Sequence, residues 1–206
     1  MEPTATIIMP TLDMERAAAN MALARRTAGV DTSAVIYWDY KARGAVKSGN
    51  ALFHAALHME TPFIVYLNDD CRCEQQGWLA LMIRALQMHK SYGSCAPYGN
   101  CRNKPQRAGK PGEPFAPEVT NKPLSWFCAV IRREALLDVG LFDEAFIHYG
   151  DESDWIQRAW KRGWKQVLVR GVFIQHTKAG GNYTAQHQEW DDHDGKVYRR
   201  KWPSKK

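Results

Sequence analysis

The sequence predicts an α/β protein built on a mostly parallel, twisted sheet flanked by helices. Three observations lead there. Short apolar runs alternate with longer helix-forming runs through the first two-thirds of the chain. The runs are continuously apolar rather than alternating, as strands buried on both faces are. Polar residues gather where those runs end, at Thr11, Asp39 and the pair Asp69 and Asp70. In such sheets ligands bind beyond the carboxyl ends of the strands, so one shared cleft is expected there.

The elements follow in order. "ATIIMP" reads as a buried strand stopped by Pro10, and "ERAAANMALARRTAG" as a helix of strong formers closed by Gly29. "TSAVIYWDY" is β-branched and aromatic, "AVKSGNALFHAALHM" helical in composition, and "TPFIVYL" a second buried strand. "GWLALMIRALQMH" carries an apolar stripe at Trp78, Leu81, Met82, Ala85 and Leu86. Residues 99–124, rich in Pro, Gly and Lys and without periodicity, read as a long loop suited to a lid. "WFCAVIRR" restores a strand, and "REALLDVG" is a short helix. "DESDWIQRAWKRG" opens with acids and closes with bases, as the helix dipole favours. "KQVLVRGVFIQH" is a last strand ending in His176, and residues 177–206 form a polar, aromatic-flecked terminal segment.

At 206 residues the chain suits one domain with a substantial core. The expected layout is a nucleotide-binding half over 1–98, a catalytic half over 99–182 and a basic segment over 183–206. The formal charge of +6 owes much to "KVYRRKWPSKK", a tail that offers peripheral contact to phosphates or an anionic membrane. No zinc-finger spacing or RNA-binding signature appears, so nucleic acid is not an expected partner. Five cysteines, an odd count without a secretion signal, point to reduced thiols and a cytoplasmic location.

Two acidic clusters carry the chemistry. Asp69 and Asp70 end an apolar strand, where adjacent carboxylates cost free energy unless a cation or donors offset it. Read alone, they fit a Mg²⁺ or Mn²⁺ site and an acidic turn equally well. In "GDESDW", Asp151, Glu152 and Asp154 occupy a first helical turn, where one acid suffices for capping and three invite a second role, general base included. A lone histidine such as His176 is more often structural than a ligand, although its strand-end position favours the ligand.

Together these segments resemble the GT-A glycosyltransferases of family 2. The resemblance rests on "IIMPT", "IYWDY", "RGAVKSGNALFHAAL", "FIVYLNDD", "AVIRREALLDVGLFDEAFIHYGDESDWIQRAWKRGW" and "VFIQH", in that order, over residues 5–176. The most specific part is "FDE" followed by paired acids, Asp154, Arg158 and Gly163. It implies a Rossmann-like GT-A fold and an inverting, metal-assisted transfer from a nucleoside-diphosphate sugar, of UDP or dTDP type. The acceptor is a hydroxyl of a glycan, lipid-linked or other molecule.

By the same resemblance Pro10, Thr11 and Asp39 contact the nucleotide, and Asp70 holds Mn²⁺ or Mg²⁺ with His176 approaching the metal or diphosphate. Asp69 is a ribose-side or structural neighbour. Glu152 is the base, with Asp151 in reserve. Gly180 and Gly181 permit a close turn over the donor. The chain departs from the family at three places. Asn68-Asp69-Asp70 lacks the first acid of a strict DXD, and Asp151-Glu152 reverses the usual Glu-Asp. Gly49 precedes Asn50 where a basic residue is common, leaving Lys47 to supply charge. The rival function is a GT-A-like module that binds nucleotide sugars or glycans without turnover.

Overall fold

In the computed structural model, which describes residues 4–177 and 184–203, the predicted alternation forms first. It runs β1 (Ala5–Thr11), α1 (Met14–Thr27), β2 (Thr32–Trp38), α2 (Ala45–His58) and β3 (Phe63–Leu67). There follow β4 (Cys71–Arg72), α3 (Trp78–Gln87), β5 (Tyr92–Gly99), α4 (Lys104–Arg107) and β6 (Ala116–Thr120). The rest comprises β7 (Cys128–Arg132), α5 (Arg133–Val139), α6 (Asp151–Lys161), β8 (Lys165–His176) and α7 (Ala185–Lys201).

The strands form one eight-stranded sheet in the order β2-β1-β3-β7-β5-β8-β4, with β6 also paired to β8. β1, β2, β3, β5 and β8 run one way, and β4, β6 and β7 oppose them. Period-two side-chain alternation sends neighbouring apolar residues to opposite faces. Ile7 and Val65 join one core with Trp78, Met82 and Phe127, whereas Ile8 and Ile64 join another with Phe53, Phe142 and Trp155. Both faces are therefore covered, which is why the strands read as unbroken apolar runs.

Three sequence expectations are corrected. Pro10 does not stop the first strand: β1 continues to Thr11, with Pro10 opposite Tyr37 of β2. The pairing with β3 ends at Ile8, so the missing proline N–H falls past that ladder. Residues 99–124 are not a bare loop, because they contain α4 and β6. β6 adds antiparallel to β8, from Ala116 opposite Arg170 to Thr120 opposite Gln166, and it is too exposed for an apolar pattern to mark it. Finally, "AQHQEWDDHDGKVYRRK" is a 17-residue helix, capped by Thr184 and His187 in a reciprocal capping box. Its single fully buried residue is Asp194, so no apolar stripe announced it. The close turn assigned to Gly180 and Gly181 lies outside the described residues. All five cysteines are buried.

Candidate active site

Strands that share direction bring their carboxyl ends to one edge of the sheet, and a cavity of about 400 Å³ opens there. Pro10 and Thr11 of β1, Asp39 after β2, Asp69 and Asp70 after β3, and Asp151 and Glu152 of α6 all line it. Seven of the sequence-predicted site residues thus share one wall. None of residues 99–124 lines it, so that segment is not placed as a lid. Lys47 is exposed and off the wall. Asn50 is buried behind it, where its Nδ2 donates to the Phe142 carbonyl (3.1 Å) and its Oδ1 accepts from the Phe142 N–H (3.0 Å). Gly49 is required by the same packing: a Cβ there would stand 2.8 Å from the Phe142 ring.

The two aspartates at the end of β3 are held differently. Asp69 accepts from Thr11 Oγ1 and from Arg16 Nη2 (2.7 Å), and its carbonyl accepts from Asn20 Nδ2 (2.7 Å). Its charge is matched inside the protein. Asp70 is 6% exposed and has no arginine or lysine partner among the ion pairs of the described residues. Its Oδ1 lies 3.1 Å from His176 Nε2. The Asp70 carbonyl accepts from the Thr177 N–H (2.9 Å) and Oγ1 (2.8 Å), and His176 stacks on Phe127 at 5.2 Å. Strand β4, pairing Cys71 with His176, is what sets the two side by side.

This pair fits a divalent cation. Two ligand atoms each about 2.1 Å from one ion, at right angles, stand about 3 Å apart. Cys71 Sγ lies within 4.8 Å of both groups. It donates to the Phe127 carbonyl, and burial pushes its thiol well up, which favours the protonated form over a thiolate ligand.

Asp151 and Glu152 open α6 after Gly150, whose φ of 74° is left-handed and suits only glycine without strain. Burial raises both carboxyls. Asp151 is raised furthest, by burial and then by the charge of Glu152, while the hydrogen bond from Asp151 favours the ionised Glu152. The pair thus retains one proton more readily than two isolated acids would. The third acid of the turn has another use: Asp154, wholly buried, pairs with Arg158 Nε (2.8 Å) and Lys201 Nζ (2.7 Å) and accepts from Trp202 Nε1 (2.9 Å).

Several wall residues were not singled out in the sequence. Arg16 belongs to α1, a segment with no motif to mark it, yet it lines the cavity and pairs with Asp69. Tyr66 was read as core, yet it lines the cavity, its phenol pushed up by burial and by the charges of Asp151, Glu152 and Asp69. Helix α7 supplies Gln186, His187 and Trp190, and the loop before α6 supplies His148 and Tyr149. Asp194 of α7 locks that loop, accepting from the N–H groups of Ile147 (3.0 Å), His148 (2.8 Å) and Tyr149 (2.8 Å). Burial lowers His148 to about 4, so its imidazole is neutral. Among the described residues, five carboxyl groups line the cavity against one guanidinium, that of Arg16, already committed to Asp69.

No protein-family model matches the chain. A 65-residue stretch is 35% identical to N-acetylglucosaminyl-diphospho-decaprenol L-rhamnosyltransferase of two Mycobacterium tuberculosis strains. It covers 30% of this chain and spans only 21% of those relatives. Among solved structures, GalNAc-T7 with UDP, GalNAc and Mn²⁺ superposes with a TM-score of 0.65 at 11% identity, over 97% of this chain and 50% of that one. S. aureus TarS superposes with a TM-score of 0.60 at 16% identity, over 85% of this chain and 60% of that one. The shared architecture is the GT-A fold of glycosyltransferases.

Proposed function

On this GT-A fold we propose an inverting glycosyltransferase that moves a hexosyl or deoxyhexosyl group from a nucleoside-diphosphate sugar, of UDP or dTDP type, to an acceptor hydroxyl. One observation carries the proposal: the Asp151 and Glu152 pair and the Asp70 and His176 pair line or adjoin a single cavity at the carboxyl edge of the sheet. The first has the chemistry of a base, the second that of a metal site. The partial match to a rhamnosyltransferase and the superposition on GalNAc-T7 support the same class.

Asp70 and His176 would hold Mn²⁺ or Mg²⁺, which supplies positive charge to the departing diphosphate as a Lewis acid. The charge balance calls for it. Among the described residues that line the cavity, a diphosphate meets five carboxyl groups and one guanidinium, Arg16, which Asp69 already neutralises. Thr11 and Pro10 then bound the donor at the end of β1, with Asp39 at the nucleotide side. Asp39 is itself fixed by Ser48 Oγ (2.8 Å) and by the Arg43 N–H (2.8 Å).

Glu152 takes the acceptor proton as the hydroxyl attacks the anomeric carbon from the face opposite the diphosphate. It is preferred to Asp151, whose carboxyl burial and the charge of Glu152 push further up, while the hydrogen bond from Asp151 favours the ionised form of Glu152. One displacement inverts the anomeric centre and needs no second nucleophile. Asp69 shapes the strand end through Arg16 and Thr11. The division of labour follows the chain: residues 1–98 hold the donor and 99–182 provide the base.

No helix among the described residues is long and apolar enough to cross a membrane. Peripheral contact through the basic end of α7 would use Arg199 and Arg200, which are exposed, whereas Lys201 is engaged by Asp143 and Asp154. The test is a panel of nucleotide sugars with Mn²⁺, scored for release of nucleoside diphosphate. Turnover lost on Glu152→Gln supports the base, and metal-indifferent glycan binding without turnover would replace the enzyme by a binding module.

A further inference from the structure

The cavity is lined by two chemically different groups of residues. One is charged: Arg16, Asp69 and Asp70. In the other, α7 and the loop before α6 bring four rings together. His148 stacks on Trp190 at 5.2 Å with 27° between the planes, and His187 meets the edges of both, at 5.3 Å and 5.4 Å. Tyr149 stands edge-on to His148 at 4.6 Å. All four line the cavity, with Gln186 beside them, and none is an arginine, lysine or acid.

We propose that this aromatic wall is the acceptor subsite, and that the acceptor is a neutral saccharide whose ring lies against Trp190. The inference rests on the glycosyltransferase reading above, which it makes more specific. A pyranose ring offers a face of C–H groups to an aromatic plane and a rim of hydroxyls to polar neighbours. The wall has both: the part-exposed indole of Trp190, and the amide and imidazole groups of Gln186 and His187. Among the described residues, this wall offers a phosphate or carboxylate acceptor group no arginine or lysine.

The position is right for chemistry as well. His148 and Tyr149 precede Asp151 and Glu152 by only three residues, across the tight turn at Gly150. A ring on this wall shares the cavity with the base, while the donor's charge is met at Asp70 and His176. The wall is also rigid: Asp194 fixes the backbone of 147–149, and the Ala45 N–H donates to His148 Nδ1 at 3.2 Å. That preorganisation lowers the cost of binding a weakly interacting sugar.

The experiment is saturation-transfer NMR of the full chain with a panel of methyl glycosides: glucoside, galactoside, N-acetylglucosaminide and rhamnoside. At least one should bind saturably, with transfer strongest to its ring C–H protons. Trp190→Ala should weaken that glycoside about tenfold or more, and Trp190→Phe should hold it within about threefold, since the stacking face is kept. Saturable binding untouched by Trp190→Ala, or none by any glycoside, overturns the subsite. The thermal shift with UDP and Mn²⁺ should be equal in wild type and both variants. Its absence in wild type would count against the donor reading alone, while the glycoside titration still decides the aromatic wall.

Discussion

Replacing Asp194 by alanine tests how the C-terminal helix builds the site. The carboxylate is 1% exposed and accepts three backbone N–H groups, from Ile147, His148 and Tyr149. Removing it strands three donors, at about 1–3 kcal/mol each when water cannot reach them. Partial hydration of a half-buried loop brings the sum to about 3–6 kcal/mol, a large part of the ~5–15 kcal/mol that holds a typical domain. For a chain near this length that lowers Tm by at least about 6 °C. Asp194→Asn should fall between, because an amide offers one accepting oxygen and places an NH₂ against the other donors. The assay is a thermal melt beside diphosphate release at a temperature where the variant is folded. Turnover should fall even there, since the loop carries His148 and Tyr149 into the cavity. A Tm within about 2 °C of wild type, less than ~1 kcal/mol, would refute the claim that α7 latches this loop.

Other predictions follow from the acids and from His148. Asp70→Ala should abolish the Mn²⁺-dependent rise in Tm with UDP, whereas Asp69→Ala should only reduce it; calorimetric titration of Mn²⁺ checks the ranking, and the reverse order would move the metal site by one residue. Asp151 has a carboxyl raised above its unfolded value, so its contribution to stability is full below the ordinary carboxylate range and is lost as pH rises through the native value. Asp151→Asn should therefore raise Tm at neutral pH and bring it closer to wild type in acid, which melts across pH will show. His148 behaves in the opposite sense: its native value of about 4 lies below 6.5, so its contribution is present above 6.5 and lost as pH falls through 4. The loss is at most about 3 kcal/mol, and His148→Phe should flatten that limb of the stability profile.

The sheet and the donor side were legible because burial on both faces writes unbroken apolar runs, and because strand ends in such sheets collect ligands. Thr11, Asp39, Asp69 and Asp70 were found that way. Asn50 and Lys47 were carried by resemblance, and the structure instead places Asn50 in the packing of Phe142 and Lys47 in solvent. The far wall was not legible. Helix α7 is held by a buried carboxylate, ring contacts and the partly buried Val197 and Tyr198 rather than by a fully buried apolar stripe, and its pattern is mostly polar. One signal was present: Thr184 ahead of a run that ends in Arg199, Arg200 and Lys201, a cap followed by dipole-matched charge. Likewise β6 was hidden because an exposed edge strand has no side to bury.

The most direct measurement is diphosphate release from a panel of nucleotide sugars in Mn²⁺, run in parallel for wild type and Glu152→Gln. The account predicts release by wild type with at least one donor, and a fall of about 10²–10⁴-fold in Glu152→Gln with donor binding retained. Equal turnover by the two proteins, or release by neither while nucleotide sugars still bind, would contradict it.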